Sequence, residues 1–167
     1  MKKVVFLLFL VASTAVMAQT GYVRSQGLML AMPETATANK TLNELGTKLE
    51  AEVAKAEQNA ATKMRSLQYK AQDPELGDAV RQDLASQAAT LEQELNKVKQ
   101  NAQMELQKKE AELMEPITTR LTQAIEKIAK ARGYKMVVDI SSVSYADKEL
   151  DITLDVSKEL GIAPKEQ

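Results

Sequence analysis

From Thr35 to Gln72 the chain contains no proline and one glycine, Gly46, and its apolar residues recur at Leu42, Leu45, Leu49, Val53, Ala56, Ala60, Met64, Leu67 and Ala71. Steps of three, four and four residues give an 11-residue period, near 3.67 residues per turn, which keeps one stripe on one side of an almost straight helix. A helix of about 38 residues is roughly 57 Å long. That is too long for the interior of a compact domain in a chain of 167 residues, so the stripe must pair with something equally long.

The partner follows in sequence. Gln72-Asp73-Pro74-Glu75-Leu76-Gly77-Asp78 is a reversal, because Pro74 disfavours helix at Asp73 and Gly77 supplies a flexible or left-handed position. A second stripe then runs through Val80, Leu84, Ala88, Leu91, Leu95, Val98, Ala102, Leu106 and Leu113. Two long helices joined by a short turn form an antiparallel hairpin. Alanines at 56, 60, 61, 71, 88 and 89 replace larger residues near the turn. They bury less apolar area, which favours a mobile tip, or they permit close helix approach, which favours a rigid one.

Pro116 interrupts the second stripe, yet Ile117, Leu121, Ile125 and Ile128 continue it to Arg132, so a kink is expected rather than an end. Gly133 stops the helix. Tyr134 to Ile140 is β-branched and strand-like, Ser141-Ser142 is a turn, and Val143 to Ala146 is expected as a further strand. Leu154 to Leu160 forms a terminal helix closed by Gly161, while Gly21 to Arg24 forms a strand at the front and Ser25 N-caps a short helix through Met32. The expected fold is therefore α+β: a small β-rich oligomerisation body from 19–34 and 114–167, and a long helical coiled-coil hairpin over 35–113 with its turn near 73–78. A body this small is marginal alone, and oligomerisation is its natural remedy.

Residues 1–18 read as a secretory signal peptide: Lys2 and Lys3 precede an apolar run from Val4 to Ala12, and Val16 and Ala18 suit cleavage after Ala18. The run is too short to span a bilayer as a helix, so the mature chain is expected to lack a transmembrane segment. Removing the two lysines from 22 basic residues leaves 20 against 23 acidic, a net charge of −3. Both phenylalanines leave with the signal, and a near-neutral chain without aromatic platforms is not expected to bind nucleic acid. His, Cys and Trp are absent, which excludes His-dependent triads, thiolate nucleophiles, Cys/His zinc sites and disulfides.

No catalytic residue is expected. The carboxylates of Glu110, Glu112 and Glu115, or of Asp151 and Asp155, lie on exposed helical surfaces with no pocket to shift their pKa values. Asp73, Glu75 and Asp78 lack the spacing of a calcium loop, so no metal or cofactor is expected. The sequon Asn39-Lys40-Thr41 falls on a helix and carries no weight. Pairs such as Glu44 with Lys48 and Glu126 with Lys130 support helix persistence. Met29, Met32, Met114 and Met136 are expected in the body core.

Toward the C-terminus the series Gly133-Tyr134, Val137-Val138-Asp139, Tyr145-Ala146-Asp147 and Asp151-Ile152-Thr153 is specific in its order. With Tyr22-Val23-Arg24-Ser25-Gln26, Met32-Pro33-Glu34 and Lys108 to Leu113 leading into Pro116-Ile117, it resembles the OmpH/Skp family of periplasmic chaperones over nearly the whole mature length.

The resemblance implies an exported periplasmic homotrimer, its strands joined in a shared β body and its helical tentacles surrounding a cavity for unfolded outer-membrane proteins, with no nucleotide or metal. The expected client contacts are Met64, Leu67, Tyr69 and Leu76, with packing between the helices as the alternative for Met64 and Tyr69; the oligomer interface is expected at Tyr22, Val23, Val137, Val138 and Ile140. Charge departs from the family's best-known basic members. Around the turn Lys63, Arg65, Lys70 and Arg81 face Asp73, Glu75, Asp78 and Asp83, leaving a formally neutral tip. Membrane proximity would then be peripheral. An ATP-independent holdase is the leading function; a structural coiled-coil or adaptor of the cell envelope is the alternative.

Overall fold

The computed structural model describes residues 20–162; the expected signal peptide and its cleavage point lie outside them. The order is β1 (Thr20–Val23), α1 (Ser25–Ala31), α2 (Pro33–Ala71), α3 (Asp78–Ala131), β2 (Met136–Asp139) and α4 (Thr153–Leu160). Short 3-10 turns at Ile140–Ser142 and Lys148–Leu150 lie between β2 and α4.

Pro33 separates α1 from α2. It forces Met32 into extended backbone (φ −71°, ψ 130°) and then occupies the first position of α2, where its missing N–H costs nothing. From there α2 runs unbroken to Ala71, and its half-buried and buried positions, Leu42, Leu45, Leu49, Val53, Ala56, Ala60, Met64 and Leu67, are the stripe of the sequence without its last member, since Ala71 is exposed. Most of the second stripe likewise lies against α2, with Leu84 buried and Leu91, Leu95, Ala102 and Leu106 half-buried, but its members Val80 and Val98 are exposed. Lys99 reaches across the seam to Glu57 at 2.7 Å. Glu44 pairs with Lys40 rather than Lys48, which takes Glu52 instead; Lys130 pairs with Glu126 as the spacing predicts.

The turn differs in detail from expectation. Gly77 is extended (φ −67°, ψ 154°), not left-handed. The Asp73 carboxylate accepts from Glu75 N at 2.9 Å, and Arg81 donates to the carbonyls of Asp73, Pro74 and Leu76. Arg81 is therefore engaged by the turn backbone and is not an ion-pair partner of the tip acids. Pro116 lies within α3, which continues to Ala131.

Gly133 (φ +72°) closes α3, with Tyr134 N donating to Ala129 O at 2.9 Å and Gly133 N to Lys130 O at 3.1 Å, the paired bonds of a Schellman end. β2 follows and pairs in parallel with β1, Thr20 to Met136 through Val23 to Asp139. On its other side β1 meets the segment before α4, with Ile152 N donating to Tyr22 O at 3.0 Å. The expected strand at Val143–Ala146 does not form. Asp139 and Asp147 each accept from a backbone N–H two residues ahead, curling the chain into the 3-10 turns, and no strand lies beside Tyr145 to pair with it among the described residues.

Beneath the sheet, Leu28 of α1, Met32 between α1 and α2, Ala38 of α2, Ile117, Leu121 and Ala124 of α3, and Val156 and Leu160 of α4 form one core with Ile152. The two buried hydroxyls are satisfied: Thr35 donates to Met29 O and Ser157 to Ile162 O. Lys127 to Glu159, Arg132 to Asp155, and Arg120 to Leu160 O fasten α4 across α3. Met32 belongs to this core, and Met29 and Met114 pack against it, but Met136 is 56% exposed and does not.

Gly21 is required by contact. A Cβ there would sit 2.5 Å from Cδ2 and 2.6 Å from Cε2 of the Tyr134 ring. Gly21→Ala is predicted to destabilise the protein by about 1–3 kcal/mol, and to cost much less in a Tyr134→Ala background, measured by denaturant unfolding; equal costs in both backgrounds would refute the contact.

Candidate functional site

Two surfaces collect exposed apolar side chains, one at the hairpin turn and one on the body. At the turn, Tyr69 (79% exposed) and Val80 stand with Leu76 and Leu84 around an open cleft of about 560 Å³. The stripe ends at Leu67, so Tyr69 falls off the seam and has nothing to pack against. The sequence-derived contacts therefore divide: Tyr69 and Leu76 line the cleft, whereas Met64 and Leu67 are half-buried on the stripe that faces α3. Val80 was not among them. Its place at the start of α3, one turn beyond the last α2 partner, is the signal that would have singled it out.

On the body, Leu30 of α1 and Leu154 of α4, 64% and 50% exposed, flank a cleft of about 750 Å³ with Ile140. Met136 and Tyr145 add further exposed apolar surface. β1 has neighbours on both sides, but β2 is paired only with β1 among the described residues, so its outer edge presents free backbone groups. Of the expected interface residues, Tyr22 and Val23 are covered by their own chain, while Val137, Val138 and Ile140 are half-buried. Leu30, Met136, Tyr145 and Leu154 were missed as surface residues, since apolar character alone does not distinguish core from an uncovered face.

The electrostatics tie this body together. Asp139, at the end of β2, accepts at Oδ1 from Ser141 N (2.8 Å) and Ser141 Oγ (2.5 Å), and at Oδ2 from Ser25 N (3.1 Å) and Ser25 Oγ. The Ser141 hydroxyl first, and the Ser25 hydroxyl next, hold its carboxyl far below the usual carboxylate range. Ser25 is thus the first residue of α1 rather than its cap: the capping oxygen comes from Asp139, more than a hundred positions away, a pairing that no local pattern reveals. Burial, then the charge of Asp151, raises the Tyr22 phenol. The hydrogen bond to Asp155 raises Arg132, and that to Lys130 lowers Glu126. Among the described residues no group of three acidic side chains gathers to hold a metal, and no helix is long and apolar enough to cross a membrane.

Comparison with known proteins places this arrangement. The family model described as outer membrane protein (OmpH-like) matches residues 19–160. The chain is similar to the chaperone protein Skp of Yersinia enterocolitica, 28% identical over 156 residues that cover 92% of this chain and 93% of that protein. An uncharacterised protein of Aquifex aeolicus (strain VF5) is 31% identical over 121 residues, covering 72% and 74%. Among solved structures, an outer membrane chaperone described as OmpH-like, from Caulobacter crescentus CB15, superposes with a TM-score of 0.63 at 15% identity, covering 85% of this chain and 83% of that one, which shows a shared fold.

Asp139→Asn removes the charge from four hydrogen bonds and is predicted to cost about 1–3 kcal/mol at pH 7. Because the folded carboxyl titrates below its unfolded value near 3.9, its contribution is complete above that pH and fades as pH falls toward the folded pKa. Unfolding at pH 7 and pH 3 should show the difference between wild type and variant narrowing in acid; a constant difference would contradict the assignment.

Proposed function

The chain belongs to the OmpH-like outer membrane protein family, a family of chaperones and not enzymes, and on that premise we propose that it is an ATP-independent periplasmic holdase. Its clients are unfolded outer-membrane proteins, retained between the helical hairpins of a homotrimer. The observation that carries this reading is the gathering of most uncovered apolar surface at the body and at the turn, with only Val98 and Met104 exposed between them, joined by helices that bury one seam.

In this reading the body surface around Met136, Val138, Ile140, Leu30 and Leu154 meets neighbouring copies, with the outer edge of β2 supplying backbone groups. Residues 19–34 and 114–167 then act as the assembly unit and residues 35–113 as the tentacle. Tyr69, Leu76 and Val80 give each tip a small apolar contact, and Met64 and Leu67 become available where a client parts the seam. Each contact is weak. Three hairpins acting together raise the effective concentration of binding sites, so a client is held by many bonds that break singly. Release needs no nucleotide. Any approach to membrane is peripheral, from a tip of balanced charge.

Aggregation assays with several urea-denatured membrane barrels test the function: mature protein should suppress aggregation of most of them. Protection of none, with tight binding to one folded envelope protein, supports an adaptor instead. Deleting Ala60 to Ala88 with a short glycine-rich closure should leave a trimer by light scattering but sharply reduce protection. Val138→Asp, which puts an unpaired carboxylate against the neighbouring copy, should abolish assembly. A stable monomer of the wild-type chain at micromolar concentration would overturn the trimer.

A further inference from the structure

The root of the hairpin is fastened by one guanidinium. Arg120 of α3 pairs with the carboxylate of Glu34, in the first turn of α2, and donates at 2.8 Å to the carbonyl of Leu160, the last residue of α4. Both contacts agree with the helix dipoles, because an acidic group is favoured at the N-terminus of α2 and a cation at the C-terminus of α4. One side chain thus joins three helices.

Little else keys α2 to the body. In its first two turns only Thr35 and Ala38 are buried, and neither is bulky enough to interlock with its neighbours and fix a direction. α3 is weakened at the same level, since Pro116, one turn before Arg120, has no N–H for the bond to Glu112 O. Although the Glu34 side chain is partly exposed, its Oε2 is shielded from solvent and meets no donor among the described residues. Without the guanidinium that carboxylate would be shielded and uncompensated, so α2 would have to shift to bring it into water. The leverage is large. With 39 residues, α2 is about 58 Å long, and a rotation of about 10° at its root carries the turn through about 10 Å.

We propose that Arg120 is a positioning residue that fixes the angle at which the hairpin leaves the body, acting through the Glu34 carboxylate and the Leu160 carbonyl. An exposed ion pair adds little to stability. Here it acts at the short end of a long lever, so direction rather than stability is what it controls. The consequence for function rests on the homotrimer reading: the same clamp, repeated in each copy, sets the spacing of the three tips and therefore the size of chain that fits between them.

The test reads the angle directly in the full mature chain. The chain has no cysteine, so Glu75→Cys at the turn, combined with Lys158→Cys on α4 or with Lys148→Cys on the opposite part of the body, gives two defined pairs of spin-label sites. Double electron–electron resonance, with labelled chain diluted into excess unlabelled chain, then reports distances within one copy, and two body positions detect a swing in any direction. Arg120→Ala and Glu34→Ala should each shift or broaden at least one distance distribution by about 5 Å or more. Lys127→Ala, which removes the exposed pair with Glu159 between α3 and α4, should leave both distributions as in the wild type. Alanine preserves helix, circular dichroism and mass determination check fold and assembly, and either of the first two variants suffices if the other fails to fold. Unchanged distributions in the Arg120 and Glu34 variants overturn the proposal and leave the holdase reading standing. Equal changes in the Lys127 variant overturn it in favour of a general loosening of the body. A monomeric wild type removes the trimer reading and the consequence for tip spacing, while the distances within one copy still decide whether Arg120 sets the angle.

Discussion

Pairing of β1 with β2 is the constraint on which the rest depends. The strands run parallel, and α1, α2 and α3 all lie between them in the chain. A parallel pair cannot be joined by a tight turn and needs a crossover; here the whole helical hairpin is that crossover. Once Tyr22 lies beside Val138, α2 must leave the sheet and α3 must return to it. Asp139 secures the closure chemically, because one carboxylate binds the start of α1 and the turn after β2 together.

Energetics then divide along the molecule. Near the sheet, four helices share one core, and Ile152, Val156 and Met32 are almost fully buried. Away from it each helix has a single neighbour, so it buries a narrow stripe and leaves the remaining faces in water. Buried area per residue falls toward the turn, where Ala60 and Leu84 are the last buried side chains. A structure built this way has little stability to lose at the tip and much to lose at the body, which suits assembly at one end and weak, reversible contact at the other.

Most of the hairpin was legible because the helix period leaves a repeating trace: the three-four-four steps mark the seam residue by residue, and Pro74 and Gly133 mark where helices end. The β segments were less so. Val143 to Ala146 has strand-like residues but no partner, and Asp139 and Asp147 divert the chain locally into turns. Met136 is apolar on a strand yet faces outward, since alternation does not say which face is covered. The capping of α1 by Asp139 is a tertiary contact without local signal. At the tip, Tyr69 and Leu76 did come together, while Met64 and Leu67 stayed on the seam, a distinction set by the phase of the stripe rather than by residue type.

The division between an assembling body and client-binding hairpins is tested most directly by hydrogen exchange on the mature protein with and without a denatured membrane barrel. Backbone amides of the hairpin and of segments that pack on it should gain protection when client is bound, while β1, β2 and α4 exchange as before. Protection that rises only in the body, with the hairpin unchanged, would contradict the account.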